Sequence, residues 1–326
     1  MNKLRTFALT TLTSTALSCG AWAGTPDNVS KEVIQEPPPV SRINLLLNVD
    51  FSNEYVTPRG MIVRDKGLTV QPLLLAFITL YKDNNTFVNS FKLVGGMWND
   101  FGTSQVSRQP PFGSNPKTNY TEIDPIAGIS VGFAKYFTLD VTYTAFVEQI
   151  LSIGTSHHLE TKLSLNDSDF LHAFALHPYA SFWYELAGKA TDADVPEAVL
   201  GPSPRSGKHP APGSSFYFDI GIDPSYTIKS LGGLTIEAPC RVLLPDSRFY
   251  GEYYGSSSTV GLFELGGKAT LPIKCIPGSY GHWSVHAGIR YMNFVDDNLY
   301  HLNTFNAPGE PTRTTLQGYG GVSVFF

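Results

Sequence analysis

Apolar and polar residues alternate with a period of two along most of this chain, and no other feature restricts its fold as strongly. From Ile43 the odd positions are Ile43, Leu45, Leu47, Val49 and Phe51, while the even ones are Asn44, Leu46, Asn48, Asp50 and Ser52. Successive side chains of a strand point to opposite faces, so each such segment has one apolar and one wet face. The pattern returns at Leu139, Val141, Tyr143 and Ala145 against Thr138, Asp140, Thr142 and Thr144, and at Phe216, Phe218, Ile220 and Ile222 against Ser215, Tyr217, Asp219 and Asp223. Reading on in this way gives about twelve strand segments: 42–55, 68–83, 87–101, 120–135, 137–149, 157–167, 172–186, 214–228, 234–245, 259–275, 282–295 and 312–326. Each is long enough to cross a bilayer when tilted.

A soluble sandwich also alternates, so the connections decide. They alternate in length. Long ones hold Pro58-Arg59-Gly60, Pro110 to Gly113, Ala190 to Gly213, Asp246 to Ser258 and Asp296 to Pro311, and Ser152 to Ser156 is of moderate length. Short ones fall between them at Asn84-Asn85, Lys135-Tyr136, Asn166 to Phe170, Lys229 to Gly233 and Pro277 to Gly281. Short turns at one end and long loops at the other are the habit of outer-membrane barrels. No run of about 18 apolar residues exists to cross as a helix. A strand-built membrane protein must close on itself, because lipid offers no partner for backbone polar groups. The expected fold is therefore all-β, a closed antiparallel transmembrane β-barrel of about twelve strands over residues 42–326.

The ends fit a Gram-negative outer-membrane destination. Lys3 and Arg5 precede the apolar run Phe7 to Leu17, and Ala21-Trp22-Ala23 supplies a small-x-small site, so residues 1–23 read as a secretory signal. A lipoprotein reading through Cys19 lacks the expected Leu three residues before it. Residues 24–41, with Pro37-Pro38-Pro39, read as a periplasmic lead-in of polyproline character. At the other end, Val322, Val324 and Phe326 alternate up to a terminal aromatic, which resembles the strand signal read by the outer-membrane assembly machinery. Formal charge is -5 for the whole chain, with no basic cluster, which argues against a nucleic-acid partner. The expected partners are outer-membrane lipid, the assembly machinery and small solutes.

Glu54-Tyr55-Val56-Thr57-Pro58-Arg59-Gly60, with Gln71-Pro72 on the next strand and Gly95-Gly96-Met97-Trp98 on the one after, resembles an uncharacterised family of outer-membrane porins. The likeness covers about the first third of the chain. It implies porin-like function, passive diffusion of small polar solutes or ions, without identifying a solute.

Assigning the polar parity to the lumen places Asp50, Glu122, Asp124, Asp140, Glu148, Glu160, Lys162, Asp219, Asp223, Arg241, Glu264, Lys268, His286 and Arg290 inside. Glu54, Glu185, Glu237, Arg42, Lys92, Lys274 and Arg313 share that parity. Two readings follow. Either an acidic excess lines a narrow aqueous path that favours cations or neutral solutes, or the charges pair across a lumen much tighter than that of larger porins and plug it.

The rival functions are an outer-membrane lipid-modifying enzyme and a non-conducting adhesion or scaffold barrel. His282-Trp283-Ser284-Val285-His286 is the enzyme candidate, because His and Ser two apart on a strand share a face and suit base and nucleophile. Outer-membrane lipid hydrolases use such a spacing, but Trp283, Val285 and Ile289 take the lipid face, which turns His282 and Ser284 inward. No catalytic residue is therefore assigned. An adhesion barrel would bind through the loops at Pro110 to Pro116 and Pro202 to Pro212, and Tyr253-Tyr254 suits a loop rim. His157-His158 point to opposite faces and cannot chelate together, and neither a metal nor a cofactor motif is present. Finally, Cys240 and Cys275 are equidistant from Ser257 and Ser258 in a long loop, so hairpin symmetry would oppose them within disulfide reach, as against two free thiols in the apolar band. Purified in detergent, the protein should show β-type circular dichroism and migrate differently on gels when unheated; a soluble helix-rich product would overturn the barrel.

Overall fold

The computed structural model describes residues 42–103, 119–149, 155–172, 175–187, 215–247, 249–250, 258–306 and 312–326. In chain order its wall strands are β1 Ile43–Ser52, β2 Thr69–Lys82, β3 Val88–Gly102, β4 Tyr120–Phe133, β5 Phe137–Glu148, β6 Ser156–Leu165, β7 Tyr179–Ala187, β8 Phe216–Ile222 continued by Ser225–Ile228, β9 Leu234–Glu237 continued by Cys240–Pro245, β10 Leu262–Pro272, β11 His282–Phe294 and β12 Thr314–Phe325. Each pairs antiparallel with its sequence neighbour, and β12 returns to β1 with Leu46 opposite Phe325 and Ser52 opposite Tyr319. The twelve-stranded wall is closed.

Only β8 and β9 are interrupted, at Asp223-Pro224 and at Ala238-Pro239. Proline has no N–H to give a ladder. Pairing is restored around the gaps by Ala238 N–H donating to the Pro224 carbonyl at 3.0 Å and Gly266 N–H to the Pro239 carbonyl at 2.7 Å.

Parity falls as the alternation requires. Leu45, Leu47, Phe51, Leu74, Ile78, Phe218, Ile220, Leu265, Ile289 and Leu316 are exposed on the outer face. Asn48, Asp50 and Ser52 of β1, or Asp140, Thr142 and Thr144 of β5, are buried within. An apolar belt this continuous suits lipid and would be an association liability in water. The interior is not uniformly polar, however. Leu46, Leu73, Leu75, Phe77, Val94 and Ile126 are also buried and form an apolar sector inside the β1–β4 wall. On β2 this sector makes both faces apolar, so alternation fades there.

Several boundaries differ from the sequence reading. Strand β7 begins at Tyr179 rather than 172, because Asp167, just ahead of the short helix α1, Ser168–Leu171, accepts the N–H groups of Leu176 and His177, both at 2.9 Å, and keeps those residues out of the ladder. The long connection after β11 holds a second helix, α2, Asp297–Asn306, started by Asp296 Oδ1 accepting N–H of Asn298 and Leu299 at 2.8 and 3.1 Å. Arg42, Lys274 and Arg313 lie exposed at strand ends instead of in the lumen. The signal and lead-in stretches, the loops at Pro110 to Pro116 and Pro202 to Pro212, and Tyr253-Tyr254 fall outside the described residues.

The cross-strand disulfide is contradicted. Cys240 stands opposite Leu265, and Glu237 opposite Lys268, while Cys275 is exposed beyond the end of β10. The hairpin is asymmetric, and at about 3.3 Å per residue the seven residues from Leu265 to the end of β10 at Pro272 alone carry the chain roughly 23 Å past Cys240, with Cys275 in the turn beyond. Both thiols are free. Without reductant, peptide mapping after unfolding should recover Cys240 and Cys275 each singly alkylated, and Cys275 should react with a maleimide in the folded protein; a linked peptide pair would refute the register.

Candidate functional site

The connection between β1 and β2 does not leave the barrel. Every residue from 55 to 64 is buried. Tyr55–Val56 pairs antiparallel with Ile62–Arg64, and between them Thr57 N–H donates to the Met61 carbonyl at 2.8 Å and Gly60 N–H to the Thr57 carbonyl at 2.9 Å. Gly60 turns the tip with φ +90°, and a Cβ there would stand 2.7 Å from a Leu262 methyl, so both conformation and packing require glycine. Burial is what the composition demands: Tyr55-Val56 and Met61-Ile62-Val63 are too apolar for a solvated loop.

This inward hairpin is clamped on all sides at the long-loop end. At its root Gln317 Nε2 donates to the Glu54 carbonyl at 2.6 Å, and Thr315 Oγ1 lies 2.6 and 2.8 Å from the two Glu54 carboxylate oxygens. Burial pushes the Glu54 carboxyl above its ordinary range, with the Thr315 bond opposing. Tyr55 Oη donates to Glu122 at 2.5 Å, and its ring meets Trp98 at 5.4 Å. Arg64 pairs with Asp100 at 3.4 Å and donates to Thr121. Arg241 Nη2 donates to the Pro58 carbonyl at 2.9 Å, and Tyr250 Oη to the Arg59 carbonyl at 2.7 Å. Asn303 of α2 works in both directions: its Oδ1 accepts Ile62 N–H and its Nδ2 donates to the Gly60 carbonyl, each at 2.9 Å.

Below the hairpin the sequence-assigned lumen residues do face inward. Asp50, Glu122, Asp124, Asp140, Glu160, Lys162, Asp219, Asp223, Arg241, Glu264, Lys268, His286 and Arg290 are all buried, while the side chain of Glu148 is outside the described residues. Most meet a partner. Arg241 holds Asp219 at 2.6 Å and Glu264 at 2.8 Å, and Arg290 approaches Glu264 at 3.6 Å. Lys268 meets Glu237 at 3.2 Å, and Ser181 donates to Glu160 at 2.7 Å.

His286 Nε2 lies 2.6 Å from Asp50 Oδ1. Both flank Gly321 of β12 in register. A Cβ at Gly321 would stand 2.5 Å from Asp50 Oδ1 and 2.7 Å from His286 Nε2, so glycine is what lets the two meet. Ser284 is buried nearby, and its Oγ makes no hydrogen bond among the described residues. The structure thus turns the His–Ser strand inward as the alternation implies, and gives the neighbouring histidine to a carboxylate rather than to the serine. His157 and His158 do separate to opposite faces: His157 bonds Tyr143 at 2.6 Å, and His158 bonds Ser156 at 2.7 Å inside. No cluster able to hold a metal ion occurs among the described residues.

No family model and no curated protein matches this chain. Solved structures with similar architecture include the outer membrane phospholipase A from Escherichia coli, at TM-score 0.40 and 12% identity, covering 86% of this chain and 92% of that one. The translocator domain of the autotransporter NalP from Neisseria meningitidis has TM-score 0.37 and 10% identity over 88% and 89%. A doubly substituted variant of OccD1 (OprD) has TM-score 0.25 and 10% identity over 87% and 94%. A likeness at this level says nothing about what this chain does.

Replacing one member of a buried ion cluster leaves its partners charged and desolvated. Arg241→Met strands Asp219 and Glu264 and frees the Pro58 carbonyl, so it should lower unfolding stability by about 3–5 kcal/mol. Denaturant titration in detergent, read by heat-modifiable gel mobility, checks this against Arg313→Met at the exposed rim, which should shift stability by less than about 1 kcal/mol.

Proposed function

We propose that this protein is an outer-membrane channel for small solutes whose mouth is closed at rest by the inward hairpin. The carrying observation is that residues 55–64 lie across the barrel end without belonging to its wall, tethered through side-chain and loop contacts above a charge-lined interior. Long loops face outward in such barrels, which puts the hairpin at the external mouth. A wall strand cannot leave without breaking its ladder. The hairpin can, because the bonds from Arg64, Arg241, Tyr250 and Asn303 break without disturbing a wall pairing.

A second reading has its own support. The interior charges pair with one another, and the apolar sector joins the hairpin in one buried cluster, which suits a sealed barrel acting through its loops. Planar-bilayer recording separates the two. Wild-type protein should stay closed with brief openings, and Asn303→Ala or Arg64→Met should lengthen them several-fold. Replacing residues 55–64 by a short Gly-Ser linker should leave a permanently open pore, whereas a non-conducting, correctly folded deletion variant would favour the sealed barrel.

Acidity should act on the same element. Because burial raises the Glu54 carboxyl in the closed form, that form binds a proton more readily than one in which Glu54 is solvated. Opening should therefore become rarer as pH falls through the range just above ordinary carboxylates, and Glu54→Gln should flatten the dependence in the same recordings.

A further inference from the structure

Beneath the hairpin tip lies a buried cation that forms no ion pair among the described residues. The Arg59 side chain is 3% exposed, and neither its Nε nor its Nη1 makes a hydrogen bond there. Its guanidinium sits over the Phe146 ring at 4.1 Å. From there the aromatic surface continues: Phe146 meets His158 edge-on at 4.9 Å, His158 meets Trp183 at 6.3 Å, and Trp183 stacks on Tyr217 at 5.6 Å. The Tyr217 hydroxyl is likewise buried without a bond among these residues. Ser156 gives its proton to Glu185 at 3.1 Å and so accepts from His158 Nε2, which leaves the unbonded Nδ1 of neutral His158 as an acceptor. One carboxylate, Asp124, acts on Arg59 through its charge without touching it; its Oδ1 is turned to the Val147 N–H at 3.3 Å.

We propose that Arg59 is the head-group site for a solute of this channel, and that the solute is an amphiphilic organic carboxylate, with an anionic end and an aromatic or short apolar body. Two independent features select that class. Arg59 and Tyr217, close enough for the guanidinium charge to act on the phenol, each hold a buried donor without a bond, and a desolvated guanidinium binds an anion far more strongly than in water. The rings of Phe146, Trp183 and Tyr217, linked to the guanidinium through Phe146 and His158, suit an aromatic or short apolar body. Part of the acidic excess along the strands is answered internally, Asp219 and Glu264 by Arg241 and Glu237 by Lys268, so the count of acids does not by itself set selectivity.

The inference rests on the channel reading for the word solute, but its test does not need conduction. Benzoate is titrated into the full-length protein in detergent, followed by tryptophan fluorescence and calorimetry, with benzyl alcohol and chloride in parallel. Saturable benzoate binding is expected, at least tenfold weakened in Arg59→Met and several-fold in Tyr217→Phe, which keeps the ring should the arginine variant fail to fold. Asp297→Asn, at the exposed rim, should bind as wild type. Absence of saturable binding, equal affinity in Arg59→Met or Tyr217→Phe, or equal binding of chloride or benzyl alcohol would overturn the proposal. A protein that binds benzoate yet never conducts would refute the channel and leave the site standing.

Discussion

Everything in this barrel depends on the seam between β12 and β1. In hydrocarbon a backbone N–H or C=O without a partner costs several kcal/mol, so a strand wall is tenable only when it has no edge. The seam runs from Leu46 opposite Phe325 to Ser52 opposite Tyr319, and that register sets the parity of both terminal strands. Parity then decides which side chains meet lipid and which are forced inward. The buried charges are therefore a consequence of closure, and their mutual pairing is a consequence of the charges.

Twelve strands enclose little space, and the chain fills it in two ways. Toward the short-turn end, ionic and polar contacts such as Lys268–Glu237 and Asp50–His286 satisfy the inward groups. Toward the long-loop end, the hairpin brings Tyr55, Val56, Met61, Ile62 and Val63 against Trp98, Phe146, Leu243, Leu262 and Phe294, a small hydrophobic core inside a polar tube. Arg241 links the regimes, since one guanidinium binds two wall carboxylates and the hairpin's Pro58 carbonyl.

The wall was legible in the sequence because its signal is periodic. A period of two survives without knowledge of tertiary structure, and it puts Asp50, Asp140, Asp219, Glu264 and Arg290 on the inner face, where they are buried. What it could not deliver lies where the period stops. The hairpin and α2 sit in connections whose lengths were readable and whose destinations were not, although five apolar residues in the first connection signalled burial. Placing Cys240 against Cys275 assumed a symmetric hairpin. The true pairing centre lies five residues earlier in the chain, and no local pattern near either cysteine marks it. Arg59 escaped notice because its isolation is a property of its surroundings, assembled from β5, β6, β7 and β8.

The anchoring of the hairpin also has a kinetic side. Its partners are supplied late: Arg241 is 183 residues from Pro58, and Asn303 lies 241 residues from Ile62. Contacts that span such separations form only after long stretches of chain have been organised. The segment 55–64 is among the first parts of the barrel to emerge during synthesis and, by this topology, among the last to acquire its native surroundings. Until β11 and α2 are in place, its apolar residues have no complete cavity to enter, and the nascent protein must carry them exposed or in the keeping of a chaperone.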